Sequence, residues 1–384
     1  MPTLRPVTLT ANTPPAAGPD PWNRRRPRPL YIVGRVSRRI LTLIALFVPL
    51  VLLVVLGFTV TVPFVAMGPG PTFNTLGDVT LQQQDGTTEE VPVVEVEGVP
   101  VDPVSGHLNM TTVAVRDQIT LFDALGLWAG GANGVVPRDE VYSPGKSEQQ
   151  IREHNQAAFS ESEHSAAVAA MRHLGLSQVA VKQVVQHSGA EGVLQPGDVI
   201  TAVDGTDVTT ASQLTELISA HAPGETVDVT FRRGDAEKTA TVTLSASSGP
   251  AASGGVLGIT VADTVPADID VTFNLTDIGG PSAGLMFSLA LVDKLSPGEL
   301  SGGEFVAGTG TIDPSGQVGP IGGIPYKMRA ARDAGSTVFL VPAGNCSEAE
   351  RHAPEGLTLV KVDTLDDAIS GLQALEAGRP APHC

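Results

Sequence analysis

Residues 278–292 read IGGPSAGLMFSLALV, and residues 308–327 read GTGTIDPSGQVGPIGGIPYK. Ahead of the first stretch, Asp268 to Leu275 alternates as a strand and Thr276 to Gly280 forms a loop. The uncharged run from Pro281 to Val292 then predicts a buried helix with Ser282 at its start. Proline fits the first helical position. The unpaired N–H groups of a first turn, at the positive end of the helix dipole, suit an anionic intermediate. Ser282 is therefore a candidate nucleophile for attack on a carbonyl, with Gly280 and Pro281 in the loop on the oxyanion side. Alone, a serine after Gly-Gly-Pro is more often just a cap. In the second stretch a glycine-rich turn leads into Lys327, and Met328 to Ala334 reads as helical.

Three blocks in order, Gly280-Pro281-Ser282-Ala283-Gly284, Thr309-Gly310, and Gly319-Pro320-Ile321-Gly322-Gly323-Ile324 with Lys327, resemble the proteolytic domain of Lon proteases. The likeness continues through Ala330-Ala331 and Thr337 to Pro342, over about 120 residues. It implies Ser282 as nucleophile, Lys327 as its base, and Thr309, eighteen residues before the lysine, as a supporting residue that orients it. Family members often carry an aspartate three residues before the serine. Here that position is Gly279, and the nearest acid is Asp277.

A serine hydroxyl is a weak nucleophile until a base takes its proton, and a lysine can act as that base only when largely neutral. Lowering a lysine from about 10.4 to between ~7 and ~8 requires desolvation, for which Ile321, Ile324 and Phe287 are candidates. Lys327 is thus expected to be buried and without a carboxylate partner. The same serine block also fits Gly-x-Ser-x-Gly, the nucleophile elbow of α/β-hydrolases, with His352 or His383 downstream. That reading is disfavoured because a loop and a proline separate the strand from the serine.

Upstream, Gly192-Val193-Leu194 followed by Pro196-Gly197-Asp198-Val199-Ile200 and Val203-Asp204-Gly205 lies among short strands (Val179 to Val185, Val227 to Phe231, Thr239 to Leu244) and a helix (Ser212 to Ser219). This order resembles a PDZ domain of the kind attached to bacterial envelope proteases. The resemblance implies a groove that takes an extended peptide as an added strand. Ser245 to Gly255 (SASSGPAASGG) reads as a small-residue linker.

Ile40 to Val62 is a run of 23 uncharged residues, about 34 Å as a helix, against a hydrocarbon core of about 30 Å. It is expected to span a bilayer. Eight arginines and one acid, Asp20, lie in the first 39 residues, and the next lysine or arginine after the run is Arg116. The N-terminus is therefore expected in the cytoplasm and the body outside it. The chain carries −17 overall. With +7 in the first 39 residues, the body carries −24, which speaks against nucleic acid as a partner. Gly145-Lys146-Ser147 lacks the earlier glycine of a phosphate loop, since Glu140 stands there, so no nucleotide is expected. The two cysteines, Cys346 and Cys384, exclude a disulfide framework or a thiolate metal cluster and leave a single bridge open.

The expected fold class is α+β, with one N-terminal transmembrane helix, a small mostly-β PDZ domain and a Lon-type α+β proteolytic domain. The expected segments are a cytoplasmic tail (1–39), the span (40–62), an extracytoplasmic α+β region without nameable chemistry (63–175), the PDZ-like domain (176–245) and the proteolytic domain (256–376). Gly378 to Pro382 is expected to be a loose end. The layout resembles PDZ-containing, membrane-anchored Lon-like endopeptidases of bacteria. It implies ATP-independent hydrolysis of extracytoplasmic polypeptides without metal or cofactor, with homo-oligomerisation left open. The alternative is a non-catalytic envelope scaffold that binds peptides through the PDZ domain.

Overall fold

The computed structural model describes residues 37–82, 86–142, 145–246, 254–276 and 278–384. The basic tail, most of the small-residue linker and Asp277 lie outside the described residues. The chain divides into two compact units, Met1–Leu56 and Gly57–Cys384. In the first, the described residues from Arg38 onward belong to helix α1 (Arg38–Thr59), which continues past Leu56 and is long and apolar enough to cross a membrane. The uncharged run was expected to be helical to Val62. The helix stops at Thr59 because Thr61 bridges to Thr120 and the Val62 N–H donates to the Ile119 carbonyl (2.9 Å).

The second unit begins with β1 (Phe64–Asn74) and β2 (His107–Arg116), then helix α2 (Leu121–Ala129), β3 (Gly134–Pro137) and the long helix α3 (Glu148–His173). A smaller sheet follows, with β4 (Gln178–Val184), β5 (Val199–Val203), helix α4 (Ala211–Ser219), β6 (Thr226–Arg233), β7 (Ala236–Thr243) and β8 (Ile259–Thr264). The chain then returns with α5 (Gly284–Leu295), β9 (Phe305–Gly308), α6 (Ile324–Asp333), β10 (Val338–Pro342), β11 (Thr358–Val362) and α7 (Leu365–Glu376). The larger sheet runs β11-β10-β9-β2-β1-β3. Its C-terminal strands pair in parallel, β9 joins β2 in parallel, and β2, β1 and β3 are antiparallel. The fold class is α+β.

The region 63–175 is therefore half of the larger sheet, with one of its covering helices. The smaller sheet is inserted between the two halves in sequence. Its path is β7-β6-β5-β4-β8. The last strand, Ile259–Thr264, pairs antiparallel with Gln178–Val184. It was expected at the start of the proteolytic domain, and the structure places it at the edge of the PDZ-like sheet. A strand beyond a linker carries no local mark of which sheet it joins.

Local rules account for the helix ends. Thr120, Ser147 and Thr364 each cap a helix by accepting the N–H three residues on, and Asp123, Gln150 and Asp367 complete the reciprocal bonds. α5 is buried along nearly its whole length. Small residues on α3, Ala166, Ala167, Ala169 and Ala170, let the two helices approach closely. The Ser288 hydroxyl in that contact donates to the carbonyls of Ala166 (3.2 Å) and Gly284 (2.9 Å). The rings of Phe159 and Phe287 meet edge to face, with centroids 5.8 Å apart.

The C-terminal segment is tied down rather than loose. Cys346 and Cys384 form a disulfide, and the Lys361 N–H donates to the Pro382 carbonyl (3.0 Å). The sequence left the bridge open because nothing in the spacing of two cysteines fixes their distance in space. Replacing Cys384 with Ser is expected to cost about 2–4 kcal/mol of stability. Denaturant unfolding of the full chain should show this loss, and reductant should impose a similar loss on the wild type but none on the variant.

Candidate functional site

The loop before α5 is held from two sides. Gly280 adopts φ +90°, a left-handed value that suits glycine. Its N–H donates to the Asn155 carbonyl of α3 (2.9 Å). The Ser162 hydroxyl, also from α3, donates to the Pro281 carbonyl (3.0 Å). The helix itself begins at Gly284 with Ala283 as its cap, so Ser282 precedes the first turn rather than lying in it. A Cβ added at Gly279 would stand 2.8 Å from the Cβ of Asn155. An aspartate there would force α3 and the loop apart, which accounts for the glycine at this position.

Lys327 comes from the first turn of α6, whose cap, Gly323, has φ +75°. A Cβ at Gly323 would meet Val113 at 2.8 Å, so the chain passes close over β2 before it turns into the helix. The lysine is 3% exposed. Its Nζ lies 2.8 Å from Ser282 Oγ and 2.8 Å from Thr309 Oγ1. Burial pushes its pKa down to about 7. Among the described residues no carboxylate pairs with it.

Thr309, fully buried after β9, decides the direction of these bonds. Its hydroxyl donates to the Ser282 carbonyl (3.1 Å), which the Gly310 N–H also reaches (3.0 Å). With its proton committed, the threonine oxygen accepts an N–H from Lys327. In the neutral amine this leaves the nitrogen lone pair for the serine proton. The three expected residues Ser282, Lys327 and Thr309 therefore meet in one cluster, with Lys327 and Thr309 buried and Ser282 half-buried at its mouth. Of the expected oxyanion loop, Gly280 has its N–H engaged and Pro281 has none to give. Among the described residues, the N–H groups of Ser282 and Ala283 donate to no protein acceptor.

The cluster opens on a cleft of about 580 Å³, lined by apolar side chains that include Met67, Met110, Val113, Phe159 and Ile321. Two features that brace the loops around it carried no sequence signal. The first is α3, which supplies Asn155, Phe159 and Ser162 from the region read as chemically silent. The second is Asn345, buried at 6% exposure, whose amide accepts the Ile321 N–H and donates to the Ile321 carbonyl, both at 2.9 Å. That pair fixes the loop before Lys327 as a strand partner would. His352, a candidate base for a hydrolase elbow, bonds the Glu348 carbonyl instead, and neither it nor His383 lines the cleft.

A second groove of about 690 Å³ lies between β8 and α4, lined by Leu214, Ile218, Leu257, Ile259 and Val261 among others. Its floor strand is the edge of the smaller sheet. The Gly-x-Leu run, Gly192 to Leu194, does not line it. Nearby, the buried Asp198 accepts the Gln195 N–H and the Arg233 guanidinium. The loop at the groove is Leu257-Gly258-Ile259.

Residues 259–374 match the Lon protease (S16) C-terminal proteolytic domain, and residues 150–244 match the PDZ domain. The chain is 36% identical over 124 residues to the Lon protease of Methylocella silvestris, covering 32% of this chain and 15% of that protein. It is 37% identical over 93 residues to Lon protease 1 of Bacillus subtilis, covering 23% and 12%. The chain thus matches less than a sixth of the length of these relatives. Among solved structures, the PDZ domain of an SdrC-like protein from Listeria monocytogenes aligns at 29% identity over 22% of this chain and 85% of that chain, with a TM-score of 0.20. The chain carries a PDZ domain and a Lon-type proteolytic domain. In the structure α3 belongs with the proteolytic half and β8 with the PDZ sheet, so the sequence matches and the packing divide the chain differently.

If Lys327 serves Ser282 as a base it must be neutral and works above its pKa, so any peptidase activity is expected to rise as pH increases through about 7 and to level off above it. Burial also pushes Glu163 on α3 up to about 7. Glu163→Gln should leave the rising limb in place if the limb belongs to Lys327. Removing the threonine hydroxyl in Thr309→Val should lower kcat about 10- to 100-fold, the worth of one hydrogen bond to a charged group. Rate against pH in the three proteins checks both expectations.

Proposed function

We propose that this PDZ- and Lon-domain chain is an ATP-independent serine endopeptidase that hydrolyses extracytoplasmic polypeptides with a Ser282–Lys327 dyad. The observation that carries the reading is the buried amine of Lys327, 2.8 Å from Ser282 Oγ and brought by burial to a pKa of about 7. The neutral amine takes the serine proton as Oγ attacks the peptide carbonyl. The resulting ammonium then gives that proton to the leaving amine, and an acyl-enzyme remains for water to hydrolyse. Thr309 holds the amine in the direction that makes this transfer. The unengaged N–H groups of Ser282 and Ala283 are suited to the developing oxyanion.

The cleft suits an extended chain. β2 pairs with β9 only as far as Met110. From Thr111 to Val113 and at Val115 its residues line the cleft, where a substrate strand can pair with the backbone. The groove between β8 and α4 is suited to a second peptide segment, because β8 is a sheet edge facing a helix. A body on the outer side of the membrane, held by α1, agrees with the arginines that precede the span and with the Cys346–Cys384 bridge, which belongs to oxidising compartments.

The test is cleavage of casein by the full chain in detergent, without nucleotide, from pH 6 to 10. Ser282→Ala and Lys327→Ala are each expected to lose at least about 10³-fold in kcat, and added ATP is expected to change nothing. Cleavage that survives Lys327→Ala would remove the dyad. A strict requirement for ATP would remove the motor-free reading.

A further inference from the structure

α2 is apolar on two sides. Its inner side, Ala124 and Leu127, packs with Val62, Ala66, Ile119 and Val135 in a small separate core. Its outer side is a stripe of Leu121, Leu125 and Trp128, spaced by four and then three residues and therefore on one face. These three are 46%, 50% and 69% exposed. A nine-residue helix that is hydrophobic all round is stable only when both sides are covered. The only charge in the helix, Asp123, is used at the cap, where it accepts from the Thr120 N–H and hydroxyl.

The position of α2 says what covers the outer face. Its cap residue Thr120 bridges to Thr61, and Ile119 accepts the Val62 N–H. The ring of Phe122 packs on Phe58 with centroids 4.7 Å apart. A Cβ at Gly57 would fall 2.3 Å from that ring, so the glycine makes room for it. Thr61 is two residues beyond the end of α1, at most about 7 Å of chain. The interfacial layer on one side of a bilayer is roughly 5–8 Å deep. If α1 ends at the hydrocarbon boundary, α2 starts within or beside that layer.

We propose that the Leu121, Leu125 and Trp128 face of α2 lies in the interfacial layer of the lipid bilayer. It rests on the reading of α1 as a membrane span. Tryptophan is the residue suited to that depth, with an apolar body and one N–H for the wet side. The acidic body gives no electrostatic attraction to anionic lipid, so the contact is apolar and insensitive to salt. α2 packs on β1 and β3, which holds the β3 edge of the proteolytic sheet toward the membrane.

The chain has two tryptophans, and Trp22→Phe in the full chain leaves Trp128 as the only one. This protein is reconstituted into phosphatidylcholine vesicles, plain or brominated on the acyl chains near the headgroups, and checked for flotation with the vesicles. Trp128 is expected to lose at least about half of its emission in the brominated vesicles, equally at low and high salt. Adding Leu121→Glu and Leu125→Glu should restore the emission while flotation and casein cleavage persist, the latter showing that the variant folds. Unquenched Trp128 in a chain that floats overturns the docking and leaves the anchor standing. Blue-shifted but unquenched emission, the mark of a second copy on this face, overturns it as well. A chain that fails to float overturns the anchor and the docking together.

Discussion

A lysine amine can serve a serine as a base only while water is kept from it, and much of this structure is arranged around the dryness of Lys327. The amine sits at the start of α6, 3% exposed, with a threonine oxygen and a serine oxygen as its polar neighbours. Moving its pKa to about 7 means that burial works against the charged form by several kcal/mol. The fold has to supply that cost from packing elsewhere. It does so with a continuous core under α5 and a second apolar cluster around Ile324, Met328 and Phe339.

The serine side is held with equal firmness, and from a distance in sequence. Helix α3 lies more than a hundred residues before Ser282, yet it accepts from Gly280 and donates to Pro281. Its C-terminal turn carries Arg172, which pairs with Asp263 on β8 at 2.7 Å. The other oxygen of that carboxylate accepts the Ala211 N–H where α4 begins. One helix thus connects the serine loop with both walls of the PDZ groove, which follows directly from inserting the PDZ sheet between the two halves of the proteolytic sheet.

Several elements were legible because their signals are local. The apolar run of α1 and the buried run of α5 are each written within a few turns of chain. Ser282, Thr309 and Lys327 were legible through three ordered blocks of resemblance, and the structure brings the three side chains together. The border of the PDZ groove was not legible, because Gly192 to Leu194 and Leu257 to Ile259 both pair a leucine with a glycine, and only sheet order decides which one borders a helix. The loose C-terminal end was misread, and the contacts that region 63–175 supplies to the serine loop were missed, for a related reason. A disulfide across 38 residues and a carbonyl offered by α3 to a distant loop leave no periodic trace.

By itself the sequence determined which residue types are available for chemistry, where a span can lie, and which segments are helix or strand, because these depend on neighbours along the chain. Tertiary structure alone decided that Lys327 is dry, that Thr309 points its proton at the Ser282 carbonyl, that Asn345 clamps Ile321, and that β8 joins the PDZ sheet. The physical reason is that desolvation and hydrogen-bond direction are properties of a surrounding volume. That volume is assembled from segments between which the linear sequence records no distance.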